Sequence, residues 1–238
     1  MEGLMVHAGA SKLGRQDLLA LPTPEGTLTH RPIPHAKVIE GLLESLSYRR
    51  LNVVRDEYAA TKDAMRMFGF LELEIEESGV RISLGVRNSH DKSFSLGLTV
   101  GFRVLVCDNL SFFGDYSPVM RKHTKNLVLD EVIGGALEKM QRNFKPLIQQ
   151  VDVWKNHSLS DNDARLLIYK AFVEEQTKLP KHLLKDVHHH YFEPEYEDFK
   201  PRNLWSLQNG FTSAIKKLEP VPQFQAATEV ATYFNSLN

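Results

Sequence analysis

The chain has 238 residues, 42% hydrophobic and 25% charged, a balance that builds a buried core and excludes a disordered or collagen-like polymer. Its formal net charge of −1 excludes a bulk polycation, so attraction to nucleic acid has to come from a local patch. A single cysteine makes no intramolecular disulfide, and no apolar run approaches the roughly 20 residues that span a bilayer, which predicts a cytoplasmic location and no membrane partner.

In chain order, "MEGLMVHAGASKLGRQ" lacks the apolar region of a signal peptide. "LPTPEGTLTHRPIPH" is proline-punctuated and reads as an extended arm, the end of a first segment over residues 1–32. Residues 33–151 form the next segment. Val38, Ile39, Leu42, Leu43 and Leu46 recur at helical spacing and predict a short helix. An antiparallel meander follows over residues 48–107. In "LELEIEESGVRISLGV" Leu71, Leu73 and Ile75 alternate with Glu72, Glu74 and Glu76. A two-residue turn at Ser78-Gly79 pairs Leu73 with Leu84 and sets Glu76 opposite Arg81, so one register serves an apolar face and a solvent face. Phe94 to Val106 alternate again as one long strand.

The rest reads as helical. Ile133, Leu137, Met140, Phe144, Leu147 and Val151 alternate steps of four and three residues, a coiled-coil-like seam that Pro146 is expected to kink or split. Residues 152–238 continue the same domain. Ser160 and Asp163 predict a capping box, Pro180 opens a short helix, Asn203 caps another, and a last helix occupies about 223–236. The fold class is α+β: an antiparallel β-meander followed by a helical half packed on one sheet face.

Five constellations carry chemistry-bearing side chains. "RNSHDKS" places Arg87, Ser89, His90 and Asp91 together, but adjacent side chains diverge and form no catalytic triad, so the segment reads as a polar loop between strands. "DVHHHYFEPEYED" has His188, His189 and His190 beside carboxylates, yet consecutive histidines point about 100° apart on a helix and do not ligate one ion. The chain is therefore read with no catalytic residue, no metal site and no cofactor. Cys107 reads as a small buried hydrophobe closing a strand. "SPVMRKHTKN" is the densest basic segment, with Arg121, Lys122, His123 and Lys125, and Lys139, Arg142 and Lys145 recur beyond it every third residue. Set against a merely solvated helix face, these seven are the candidate nucleic-acid-binding residues. Finally, Trp205, Asn209, Thr212 and Lys216 share one ridge of the "NLWSLQNGFTSAIKKL" helix, either a ligand ridge or a brace, and Gly210 beside them permits close backbone approach.

Together "MFGFLEL", "VRNSHDKS", "FRVLVCDNL", "RKHTKN" and "NLWSLQNGFTSAI" resemble a phage- and plasmid-associated family, domain of unknown function 932. The usual Asn-Ala-Val-Thr of that family stands here as Asn209-Gly210-Phe211-Thr212, and its frequent Ser-Asn after the cysteine as Asp108-Asn109. The resemblance transfers no catalytic residue. It implies, by context alone, DNA metabolism or conflict between a mobile element and its host. A meander backed by a long helix also resembles single-strand annealing proteins, which oligomerise along DNA.

Three functions follow as expectations. The first is a non-catalytic DNA-associated protein of phage or plasmid, preferring single strands, annealing-like in recombination, and forming a homo-oligomer. The second is an antirestriction-type inhibitor of a host protein, using the acidic stretch Glu193–Asp198 interleaved with Tyr191, Phe192, Tyr196 and Phe199. The third is a metal-dependent hydrolase using the histidines.

Overall fold

The computed structural model describes residues 10–106, 110–112, 119–218 and 220–237; Cys107 and the residues following it up to Asn109 lie outside them. The elements are β1 (Ala10–Leu13), α1 (Arg15–Leu19), α2 (His35–Tyr48), β2 (Val53–Thr61), β3 (Arg66–Glu77), β4 (Val80–Ser89), β5 (Leu96–Val104), β6 (Leu110–Phe112) and β7 (Val119–Arg121), followed by α3 (Leu129–Asn156), α4 (Asp161–Phe172), α5 (Leu184–Phe192), α6 (Leu204–Ile215) and α7 (Pro220–Asn235). This is the expected α+β order, a meander and then a helical half. The chain divides into two compact units, one of residues 1–76, 81–101 and 116–144, the other of residues 77–80, 102–115 and 145–238.

In the first unit the strands run β1-β2-β3-β4-β5 in sheet order, with β7 antiparallel to β5. The β3–β4 turn is the two-residue one expected: Ser78 and Gly79 take φ of 55° and 75°, the paired positive values of a turn whose twist matches its strands. Leu71, Leu73, Ile82, Leu84, Val86, Leu96, Leu98 and Val100 form the buried apolar face. From α2, Val38, Ile39, Leu42 and Leu46 are buried, and Gly41 lets α2 approach α3, since a Cβ there would fall 3.1 Å from Ile133 Cδ1.

The opposite face departs from a simple solvent side. Glu72, expected in water with Glu74 and Glu76, is fully buried. Cross-strand pairing explains it: β2 sets Arg55 directly opposite Glu72, and Arg55 and Arg81 stand 3.6 and 3.5 Å from its carboxylate. Arg81 also pairs with Glu76, as the register predicts. Phe94 does not extend β5. Its ring lies 5.3 Å from Phe68 and under the Arg87 guanidinium, whose stem covers Gly97.

In the second unit Phe211 is a hub, stacked on Phe172 at 5.7 Å and edge-on to Phe234 at 5.4 Å, while Trp154 meets Phe234 at 5.9 Å. The capping box forms, with Ser160 Oγ accepting from the Asp163 amide. Asn203 caps α6 by accepting from the Ser206 amide and also donates to Lys155 O. Pro146 does not split α3, which is continuous through it. The seam residues Ile133, Leu137, Met140, Phe144, Leu147 and Val151 are buried within this single chain. The last helix starts earlier than expected, at Pro220. Proline suits a first turn because the N–H it lacks has no intrahelical partner there.

Candidate nucleic-acid interface

The basic segment leaves the sheet at the end of β7 and leads into α3. Arg121, Lys122 and Lys125 are exposed there, and Lys139 and Arg142 are exposed on α3 within the same unit. Among the described residues no carboxylate pairs with Arg121, Lys122, Lys125 or Lys139, whereas Arg142 is bridged to Glu138 one turn earlier. Lys145, also exposed, falls in the second unit. His123 parts from its neighbours: its ring is 4% exposed and turned inward. It is thus unsuited to touch a phosphate, and its role is structural.

The buried ring belongs to a knot of four histidines. His35 Nδ1 lies 2.8 Å from the Asn88 amide nitrogen and its Nε2 lies 2.9 Å from Ala64 O. The amide donates, so Nδ1 accepts and Nε2 carries the proton. Asn88 also donates to Ile33 O, which receives His90 Nε2 as well. The Ile33 amide donates to His123 Nδ1 at 3.3 Å, which places that ring's proton on Nε2. His35 and His90 stack with centroids 3.9 Å apart, and His30 and His123 stack at 5.7 Å. Burial holds His35 and His123 neutral, with pKa values lowered to about 4, and lowers His90 too; the neighbouring imidazoles add to the shift. Asn88 Oδ1, His90 Nδ1 and His123 Nε2 have no hydrogen-bond partner among the described residues.

This chemistry bears on metal binding. One lone pair on His35 and one on His123 already accept from N–H groups, and their other nitrogens are protonated. The rings knit backbone segments together and present no common ligand set. Elsewhere, His189 faces Glu193 at 3.7 Å, His188 lies against the Phe192 ring, and His190 lines a cavity. Sequence reasoning singled out His90 but read its segment as an ordinary loop, and it missed His30 and His35. The available signal was "HRPIPH", where two prolines hold the chain extended between two histidines.

The ridge on α6 divides. Trp205 is buried beside Phe102, with the Lys155 ammonium 5.5 Å above its ring, and Thr212 hydroxyl bonds back to the Gln208 carbonyl. Both brace the second unit. Asn209 and Lys216 reach a cavity of about 240 Å³ shared with His190, Tyr196, Phe199 and Gly210. Gly210 admits close packing, as a Cβ there would stand 3.3 Å from Val187 O. The acidic aromatic stretch also divides: Tyr191 and Phe199 are buried, Phe192 is half-buried, and Tyr196 is its one exposed ring.

Residues 31–232, well over half of the chain, match the family model described as Domain of unknown function (DUF932). The chain belongs to this family. Neither a curated protein nor a solved structure matches it. The DUF932 match spans His35, Asn88, His90, His123, the basic segment and the α6 ridge, so three of the four knot histidines and both candidate surfaces lie within the family's domain, and His30 lies one residue before it.

Proposed function

We propose that this DUF932 protein is a non-catalytic DNA-associated protein that holds a single strand along Arg121, Lys122, Lys125, Lys139 and Arg142 of its first unit. One observation carries the reading. Arg55 and Arg81 are neutralised by the Glu72 carboxylate, whereas Arg121, Lys122, Lys125 and Lys139 are exposed with no carboxylate partner among the described residues. In a chain of net charge −1, such local separation supplies the attraction a polyanion needs. A single strand is favoured over a duplex by analogy with annealing proteins, which share a meander followed by a long helix. Service to a phage or plasmid, in recombination or a related DNA transaction, is part of this proposal.

The test is fluorescence anisotropy of labelled single- and double-stranded oligonucleotides across a salt series. Neutralising three to five phosphates gives a log–log slope of about −2 to −4 for a single strand. The double variant R121E/K122E is expected to weaken binding about tenfold or more. The protein-binding alternative has less support than its sequence suggested, since two of the four rings of the acidic stretch, Tyr191 and Phe199, are buried and a third, Phe192, is half-buried.

A further inference from the structure

His30 makes two contacts that no other ring of the knot makes. Its Nδ1 lies 3.0 Å from His123 O and its Nε2 lies 3.1 Å from His90 O. A carbonyl oxygen only accepts, so both ring nitrogens have to donate, and imidazolium alone has two N–H groups. A neutral ring would turn a bare lone pair toward one carbonyl and lose that bond.

The position of the ring gives these bonds a consequence. His123 stands between Lys122 and Thr124, inside the cationic segment. The Arg31 amide donates to the same His123 carbonyl at 3.2 Å, His30 pairs with Thr124 as an antiparallel bridge, and the Ile33 amide donates to the His123 ring. The arm thus grips the segment from carbonyl, ring and strand edge together. His30 is itself set by a turn in which its amide donates to Thr27 Oγ1 and the Thr27 amide donates to His30 O. The groups facing His30 are the stacked His123 ring and the backbone of His90; His35 lies behind the His90 ring, and the nearby Asp91 carboxylate is engaged by Arg66.

We propose that His30 is a two-armed clasp, a positioning residue that fixes the Arg121–Lys125 segment for strand contact by donating from both ring nitrogens. This rests on reading that segment as the strand-contact surface.

The experiment compares wild type with His30→Phe, which keeps a stacking ring but has no donor, at pH 6. Amide exchange is read at Arg31 and across residues 121–125, and oligonucleotide affinity is read in parallel. Exchange there is expected to be about tenfold faster in His30→Phe than in wild type. Ring 15N shifts of wild type at pH 6 are expected to show two protonated nitrogens on His30 and one each on His35 and His123. This measurement needs no variant to fold. Equal exchange in variant and wild type, or a singly protonated His30 ring at pH 6, overturns the clasp. Coupled exchange with no oligonucleotide bound under any condition supports the clasp and overturns the DNA reading instead.

Discussion

The imidazole rings of His35 and His90 lie face to face, 3.9 Å between centroids and 7° from parallel, both almost wholly buried. Two stacked imidazoles stay neutral in such a place because a charge on either is poorly solvated and repels a charge on the other. Burial lowers His35 and His123 to about 4 and His90 in the same direction. The unfolded chain therefore binds these protons first as pH falls, and stability is lost between roughly pH 6.5 and pH 4. Each proton taken up in excess by the unfolded chain contributes a slope of about 1.4 kcal/mol per pH unit. Urea midpoints measured at half-unit steps are expected to fall across that window. A flat profile would contradict the buried neutral knot.

Glu72 is fully buried between two half-exposed arginines. Glu72→Gln keeps the shape but removes the charge that both guanidiniums face. The expected loss is about 1–3 kcal/mol by chemical denaturation, discounted from a fully buried pair because water reaches both arginines. Arg81→Gln is expected to cost less, since Arg55 still serves the carboxylate.

Two glycines are expected to give opposite signs. At Gly69 a Cβ would fall 2.7 Å from Tyr58 Cδ1 and 2.9 Å from Val86 Cγ1, so Gly69→Ala forces a buried ring to move and costs about 1–3 kcal/mol. At Gly135, on an exposed turn of α3, a Cβ meets nothing within 4 Å. Gly135→Ala is expected to stabilise by about 0.5–1 kcal/mol. Thermal melts of the two variants check both signs at once.

Asn203 satisfies two backbone groups, the Ser206 amide that opens α6 and the Lys155 carbonyl near the end of α3. Asn203→Ala removes both bonds and is expected to cost about 1–2 kcal/mol, whereas Asn203→Ser, which restores the cap alone, is expected to recover part of that. Denaturant midpoints of the pair separate the cap from the tie.

What could be read from the chain was local. The Ser78-Gly79 turn, the Ser160–Asp163 box and the Asn203 cap each depend on residues within four positions, and each forms as expected. Glu72 could not be read because its burial depends on Arg55, which β2 brings across from 17 positions away. The histidine knot was hidden for the same reason. His30 and His123 are separated by 93 positions, and a single histidine in a polar run looks the same whether it faces water or a buried carbonyl. The α6 ridge was legible as a stripe, but helical spacing does not distinguish the bracing Trp205 and Thr212 from the cavity-lining Asn209.

The central claim is that Arg121, Lys122, Lys125, Lys139 and Arg142 meet a nucleic-acid strand. Its most direct test is anisotropy of a labelled single-stranded oligonucleotide at low salt, with wild type and R121E/K122E side by side. The account predicts saturable binding that weakens steeply with salt and about tenfold or more on charge reversal. A flat wild-type titration, or binding that charge reversal leaves unchanged, would contradict it.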